Sequence, residues 1–514
     1  MYEENEIRFP PPGRTPREDT AAVMKFYKLP ESFPRSVLDE AKRCAEKLDN
    51  PGKRLDLRRK FIFTCDPQSA RDYDDALSLE TDRKGNRVLG VHIADVSHFV
   101  ESGSALDREA YRRSTSVYLA DRVVPMLPEE LSNGLCSLVP GEDRLAFSVF
   151  MTFDKSGEMV KRSFAKSVIR SKARFSYEQV MAIIRGAAGG LGKREAKLIR
   201  EVNALAQQLR AARFASGALD IEIPEAEVLL DESGEMTGLA TRPYDESHQM
   251  IEECMVAANE AVAKELWTKG VKILARLHEP PDEEKLLMLR ADMRGLGVKM
   301  GDISKQKVFA QFLRSIKRNP LYPTLAMMVL RSMKRAVYDG SNMGHFGLAK
   351  KYYAHFTSPI RRYPDLTLHR QLSAYLEGGA SAARVPAKIL AKWAKHTSDC
   401  EETAAEAERG LLEIKKFRLL ESQLSTRQIL DYDAVVVKCA PFGCFVEIPE
   451  LAVSGLVHVS LLSRKFVSFN ESDHSLSAPG GGRWRIGDRM RVHVAKVDFV
   501  QRKVDFVPVR RNLV

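Results

Sequence analysis

The stretch Cys65-Asp66-Pro67-Gln68-Ser69-Ala70-Arg71-Asp72-Tyr73-Asp74-Asp75-Ala76 places four carboxylates within ten residues. Carboxylates that crowded raise one another's pKa, so they protonate, spread into water or share cations. The flanks oppose spreading. Phe61-Ile62-Phe63 precedes the cluster, Ala76-Leu77 follows it, and Val88-Leu89-Gly90-Val91-His92-Ile93-Ala94 reads as a buried strand soon after, which puts the aspartates on a loop of a core sheet. Hard oxygen donors without neighbouring Cys or His pairs select Mg²⁺, Mn²⁺ or Ca²⁺ over zinc. An EF-hand fails in either register. Counted from Asp72, Leu77 holds the Gly position and Arg83 the Glu position; counted from Asp66, they fall on Arg71 and Leu77. Two readings remain. One is a Mg²⁺ site for phosphate chemistry, in which two ions roughly 3.5–4 Å apart hold an attacking water and stabilise the leaving oxygen. The other is a solvated acidic turn paired with Arg71 and the Arg58-Arg59-Lys60 run.

Composition narrows the surroundings. A chain of 514 residues buries a large core and divides into two or three domains, and 44% apolar content excludes overall disorder. Eighty basic against 69 acidic residues give a net charge of +11, which favours a polyanionic partner such as nucleic acid. Seven scattered cysteines without a C-x-x-C pair fit reduced thiols, and neither a secretory signal nor 18 uninterrupted apolar residues occurs. The expectation is a soluble cytoplasmic protein with no membrane partner.

Along the chain, the first 20 residues, with Pro10-Pro11-Pro12, read as a flexible arm or linker, and 20–48 as a weakly helical lead-in. Residues 54–180 hold short strand-like runs at 88–94, 116–119 and 145–153, with turns at Lys84-Gly85 and Lys155-Ser156-Gly157. Helical spacing takes over at 193–214, 250–266, 282–296, 305–316 and 322–337, and one long charged helix covers 386–424. After 425 about five short strands follow (432–439, 444–448, 455–459, 489–494 and 504–507), which suits a small oligonucleotide-binding barrel turned at Gly480-Gly481-Gly482 and Ile486-Gly487-Asp488.

A second informative stretch is Tyr352 to Leu372, Y-Y-A-H-F-T-S-P-I-R-R-Y-P-D-L-T-L-H-R-Q-L. Prolines at 359 and 364 cannot both lie inside a straight helix. The reading is a loop through Ser358-Pro359 and a helix starting near Pro364, with Arg361 and Arg362 at the bend. There they grip a phosphate bidentately, or Arg362 simply pairs with Asp365.

With the cluster and this stretch, H-I-A-D-V-S-H-F-V (92–100), V-P-M-L-P-E-E-L-S-N-G-L-C-S-L (124–138) and M-I-E-E-C-M-V-A-A-N (250–259) resemble, in order, the ribonuclease II / ribonuclease R exoribonuclease family. The resemblance covers about 55–420, and P-F-G-C-F-V-E-I with G-L-V-H-V-S (441–460) resembles an S1 RNA-binding domain. It implies processive 3′-to-5′ hydrolysis of single-stranded RNA from its 3′ end, releasing 5′-nucleoside monophosphates at a Mg²⁺ site, with Mn²⁺ as a possible substitute. By motif position it implies Asp66, Asp72, Asp74 and Asp75 as metal ligands or positioning groups, with Asp74 and Arg361 catalytic. Tyr118 is implied to pack on the last nucleotide, Glu252 or Glu253 to contact the terminal nucleotides, and Arg362 to bind RNA. Phe442, Phe445 and His458 fall on the S1 base-contacting face. Phe445 alternates with Cys444 and Val446, so only one of those two faces is buried. Ile221 stands where family members place a stacking Phe.

The expected architecture is multidomain α/β (α+β): an arm and linker at 1–53, where related chains carry cold-shock barrels, a catalytic domain with a mixed sheet and helices at 54–424, and a five-stranded oligonucleotide-binding barrel at 425–514. A catalytically silent RNA 3′-end binder is the alternative.

Overall fold

A computed structural model describes residues 9–48, 52–187, 190–221, 226–241, 243–426, 430–471 and 473–509. Its centre is a seven-stranded mixed sheet built from β1 (Leu55–Asp56), β2 (Phe63–Cys65), β3 (Asp75–Thr81), β4 (Arg87–Ala94), β5 (Asp143–Phe153), β6 (Met159–Arg170) and β7 (Ala173–Phe175). The strand order is β1-β6-β5-β4-β3-β2-β7. The β1–β6 and β2–β7 pairs are parallel and the others antiparallel.

The near-continuous apolar run of β4 follows from burial on both faces. Leu77, Leu79, Leu89, Val91, Ile93 and Phe147 pack under the long helices Lys193–Ala215 and Glu246–Thr268. The alternate residues Ala76, Ala94 and Ala146, together with Ile62 and Leu145, join a second core that includes Val37 and Ala41 of the Arg35–Arg43 helix. His92 is the polar exception on that run. It is fully buried between the hydroxyls of Ser78 (2.9 Å) and Ser148 (2.7 Å), and burial pushes its pKa down to about 3.

The helices Glu283–Gly295, Gln306–Ile316 and Tyr322–Ser332 form a satellite with its own core around Leu289, Phe309 and Leu325. The helix expected over 322–337 stops at Ser332. Met333 turns extended, and Val337–Asp339 pairs instead with Ala275–Leu277 as a two-stranded sheet.

The long helix Ala387–Ser425 leads into a closed barrel of β8 (Tyr432–Ala440), β9 (Gly443–Ile448), β10 (Val453–His458), β11 (Arg489–Asp498) and β12 (Lys503–Pro508), in the order β8-β9-β10-β12-β11. A three-stranded sheet of Ser468–Asn470, Ser475–Ala478 and Gly482–Trp484 is inserted between β10 and β11. The glycine run closes its second hairpin, with Gly480 and Gly481 at φ values of +98° and +101° that favour glycine.

The amino-terminal segment departs from the expected free arm. Residues 1–8 lie outside the described residues, but 9–19 are strapped across the long helix and the barrel. Asp19, wholly buried, accepts from Arg418 at 2.7 and 2.8 Å and lies 3.4 Å from Lys415, while Arg502 donates to the Pro10 carbonyl and covers the Phe9 ring at 4.6 Å. Charge pairing over a sequence distance of 399 residues fixes what looks locally like a linker. Among the described residues no helix is long and apolar enough to cross a membrane.

Candidate active site

The acidic stretch leaves the sheet at the end of β2 and re-enters at β3. The Asp66 amide donates to the Phe175 carbonyl (3.1 Å), and Tyr73 turns inward, its amide donating to Ser137 Oγ (3.0 Å). Ser137 Oγ donates in turn to the Arg71 carbonyl (2.7 Å), and the Leu138 amide to the Tyr73 carbonyl (3.0 Å). The end of the 124–138 motif is therefore a clamp on the acidic loop. Buried Tyr73 thereby anchors the loop between Asp72 and Asp74.

Asp74 is 5% exposed, and its Oδ1 accepts from the Ile360 amide at 2.9 Å, which docks the 355–370 segment onto the cluster. Asp66 is 9% exposed, and its Oδ2 is buried with no hydrogen-bond partner among the described residues. Desolvation, followed by the charge of Asp75, pushes the Asp66 carboxyl up to about 8. Desolvation also raises Asp75, to about 7, and Asp74, while the Arg361 guanidinium opposes it at both. Arg174 opposes the rise at Asp66. As the side chains stand they do not converge: among the described residues no group of three or more His, Cys, Asp or Glu side chains is gathered at metal-holding distance. The donor chemistry nonetheless fits a hard divalent cation, through Asp66, Asp72, Asp74 and Asp75 with one orphaned buried oxygen.

The segment Ser114–Ser116 runs beside Arg361 and Arg362. The Ser116 amide donates to the Arg361 carbonyl (3.0 Å) and the Tyr363 amide to the Ser114 carbonyl (2.9 Å). That pairing delivers Tyr118, whose hydroxyl donates to Asp72 Oδ2 at 3.4 Å and whose side chain is 42% exposed. The Tyr118 amide is held by Glu408 of the long helix (2.8 Å).

Adjacent arginines have different fates. Arg361 Nη2 donates to Ser358 Oγ (3.2 Å), and its charge acts on Asp74, Asp75 and Tyr118. Arg362 is committed to Asp365 by two bonds, Nε to Oδ2 (2.9 Å) and Nη2 to Oδ1 (2.8 Å), and Asp365 is fully buried. Two of Arg362's donors therefore hold the helix start. The two glutamates also differ in their surroundings. Glu253 is 2% exposed and receives the Arg213 guanidinium, whereas Glu252, on the open side, accepts from Arg213 (3.0 Å) and from the Tyr244 hydroxyl.

Sequence reading missed Tyr177, His248 and Tyr244. Tyr177 opens the helix Tyr177–Ile184 behind a capping box of Ser176 and Gln179, directly after β7 pairs with β2 at Cys65. The charges of Asp75 and Asp66 add to burial in raising its hydroxyl pKa, and its ring stacks on His248 at 3.9 Å and 15°. The S-x-x-Q cap after a predicted strand is the signal that would have found it.

On the barrel, Cys444, Val446 and Ile448 of β9 point inward, so Phe445 points outward with Phe442, 6.0 Å away edge-to-face, and Lys438 lies 5.9 Å from the Phe445 ring. Phe442 is 50% exposed, and exposed His458 caps the next turn.

Residues 54–378 match the RNB domain family and 431–507 the S1 RNA binding domain family. Ribonuclease R of Thermotoga maritima is 40% identical over 534 residues, covering 98% of this chain and 74% of that protein. The chain belongs to the ribonuclease R family. Ribonuclease R of Escherichia coli is 35% identical over 94% of this chain and 61% of its own length. Mycoplasma genitalium RNase R in complex with ribose methylated single-stranded RNA superposes with a TM-score of 0.88 at 28% identity, over 96% of this chain and 78% of that one. A yeast pseudonuclease shares the fold at a TM-score of 0.70 and 21% identity, so the ribonuclease R fold alone does not decide activity. The mixed-sheet domain and barrel expected from sequence are the ones observed.

Proposed function

We propose that this chain is a processive 3′-to-5′ exoribonuclease that takes single-stranded RNA 3′ ends into the acidic cleft and releases 5′-nucleoside monophosphates. In this division of labour residues 54–424 carry the chemistry and 425–514 hold RNA, in the cytoplasm where the seven free thiols stay reduced. One observation carries the reading: Asp66 and Asp74 are buried, an Asp66 oxygen has no hydrogen-bond partner among the described residues, and the segment bearing Arg361 docks on Asp74 through the Ile360 amide.

Asp66, Asp72, Asp74 and Asp75 would hold Mg²⁺, with Mn²⁺ as a substitute, in a two-ion arrangement. Divalent ions there supply Lewis-acid polarisation of the phosphate and an activated water. Arg361, fixed by Ser358 and by its backbone ladder to Ser116, offsets negative charge as it develops on the phosphate. Tyr118 offers a ring face to the last base, and Asp72 orients its hydroxyl. Phe442, Phe445 and His458 form an outward face for incoming RNA, with Lys438 nearby to meet a phosphate.

The test is a time course on 5′-labelled linear RNA, with Mg²⁺ or EDTA, beside circular RNA and DNA of the same sequence. Loss of linear RNA to a short labelled product, only with Mg²⁺ and with circle and DNA intact, is the expected result. Cleavage of the circle would overturn the exonuclease reading. Tight binding of linear RNA without shortening would make the chain a silent 3′-end clamp.

A further inference from the structure

An aromatic run leaves the acidic cleft along the start of the Glu246–Thr268 helix. Tyr177 follows two residues after Phe175, which pairs with Cys65 next to Asp66, and His248 stacks on it at 3.9 Å. The Tyr244 ring follows, 6.1 Å from His248 at an interplanar angle of 40°, and the residue is 50% exposed. The middle and the outer ring of the run are tied down. Asp245 holds His248 Nδ1 at 3.0 Å, and the Tyr244 hydroxyl donates to Glu252, which Arg213 grips from the other side at 3.0 Å. A half-exposed ring fixed through its hydroxyl loses little freedom when a base stacks on it.

Ile221, by contrast, packs against the satellite core around Leu289 and Phe309 and presents no π-face. We propose that Tyr244 is a stacking residue for RNA, placed to receive a base upstream of the terminal nucleotide. The inference rests on the ribonuclease reading above. It assigns to Tyr244 a share of the grip on short RNAs, where few other contacts remain.

The test uses the whole chain and short single-stranded RNAs carrying 2-aminopurine at successive positions from the 3′ end, whose fluorescence is quenched by stacking. Quenching is read in EDTA and turnover in Mg²⁺. Tyr244→Ala is expected to abolish quenching at one interior position. It should also raise KM on short RNA about ten- to a hundredfold, the equivalent of one lost base–aromatic stack, with kcat nearly unchanged and a longer final product. Tyr244→Phe keeps the ring and should restore both readouts, because only the bond to Glu252 is removed. If Tyr244→Phe is as impaired as Tyr244→Ala, the hydroxyl acts through Glu252 and the stacking role is wrong. Quenching and KM unchanged in Tyr244→Ala would also overturn it. A parent protein that shortens RNA while Tyr244→Ala behaves identically sinks this inference alone; a parent that neither binds nor shortens RNA sinks the ribonuclease reading with it.

Discussion

Asp74 and Asp95 lie at the same ends of neighbouring strands, β3 and β4, joined by the bond from the Ala94 amide to the Asp74 carbonyl (2.9 Å). Both carboxyls are buried, yet they titrate in opposite directions. Asp95 meets Arg54 at 2.7 Å inside the protein, and that guanidinium with Ser97 outweighs desolvation and holds its carboxyl below the usual range. Asp74 is offered only an amide and the shared charge of Arg361, so desolvation wins and its carboxyl is pushed up. Asp365 with Arg362, Glu253 with Arg213 and Asp19 with Arg418 are likewise buried carboxylates paired with a guanidinium. A buried carboxylate with its own cation is scaffold; one left without it awaits a cation from outside.

The largest expected effect separates these two aspartates. Asp74→Asn keeps an acceptor for the Ile360 amide and removes a buried charge. Turnover on 5′-labelled RNA should fall about 10³-fold or more while RNA binding and thermal stability in EDTA are retained. Asp95→Asn should do the reverse. Breaking the buried pair that Asp95 makes with Arg54 costs about 3 kcal/mol, readable as a lower urea midpoint, with the remaining folded protein still active.

Titration sharpens the contrast further. Asp66 and Asp75 have folded pKa values of about 8 and about 7, above the unfolded carboxylate value. Between roughly pH 4 and 8 the native state therefore binds more protons than the unfolded state, and metal-free stability falls as pH rises. Thermal melts in EDTA should show that decline, and Asp66→Asn should flatten it. Because cations bind the ionised carboxylates, Mg²⁺ should raise the melting temperature more at pH 8 than at pH 6. The smallest effect belongs to the barrel: Phe445→Ala, an outward substitution, should weaken RNA binding by about 1 kcal/mol in a filter assay and leave the melting temperature unchanged.

Much of the scaffold was legible because burial imposes periodicity. The apolar run at 88–94 and the helical spacing at 193–214 and 250–266 correspond to β4 and to helices Lys193–Ala215 and Glu246–Thr268. Two kinds of feature were not. Three-residue strands such as Gly482–Trp484 show no period and sit behind a glycine run that reads as a loop. Long-range charge pairs such as Asp19 with Arg418 leave no local trace, so the strap looked free. At the site, crowding of the aspartates announced unusual electrostatics. The partners that Arg362 and Glu253 meet, Asp365 and Arg213, depended on contacts in space. Asp365, three residues after Arg362, was the one local hint.

The most direct test is calorimetric titration of Mg²⁺ into the metal-free parent, Asp74→Asn and Asp95→Asn at pH 8. The account predicts saturable binding with proton release in the parent and in folded Asp95→Asn, and its loss in Asp74→Asn. Equal Mg²⁺ binding in parent and Asp74→Asn would contradict the claim that this cluster is where the cation acts.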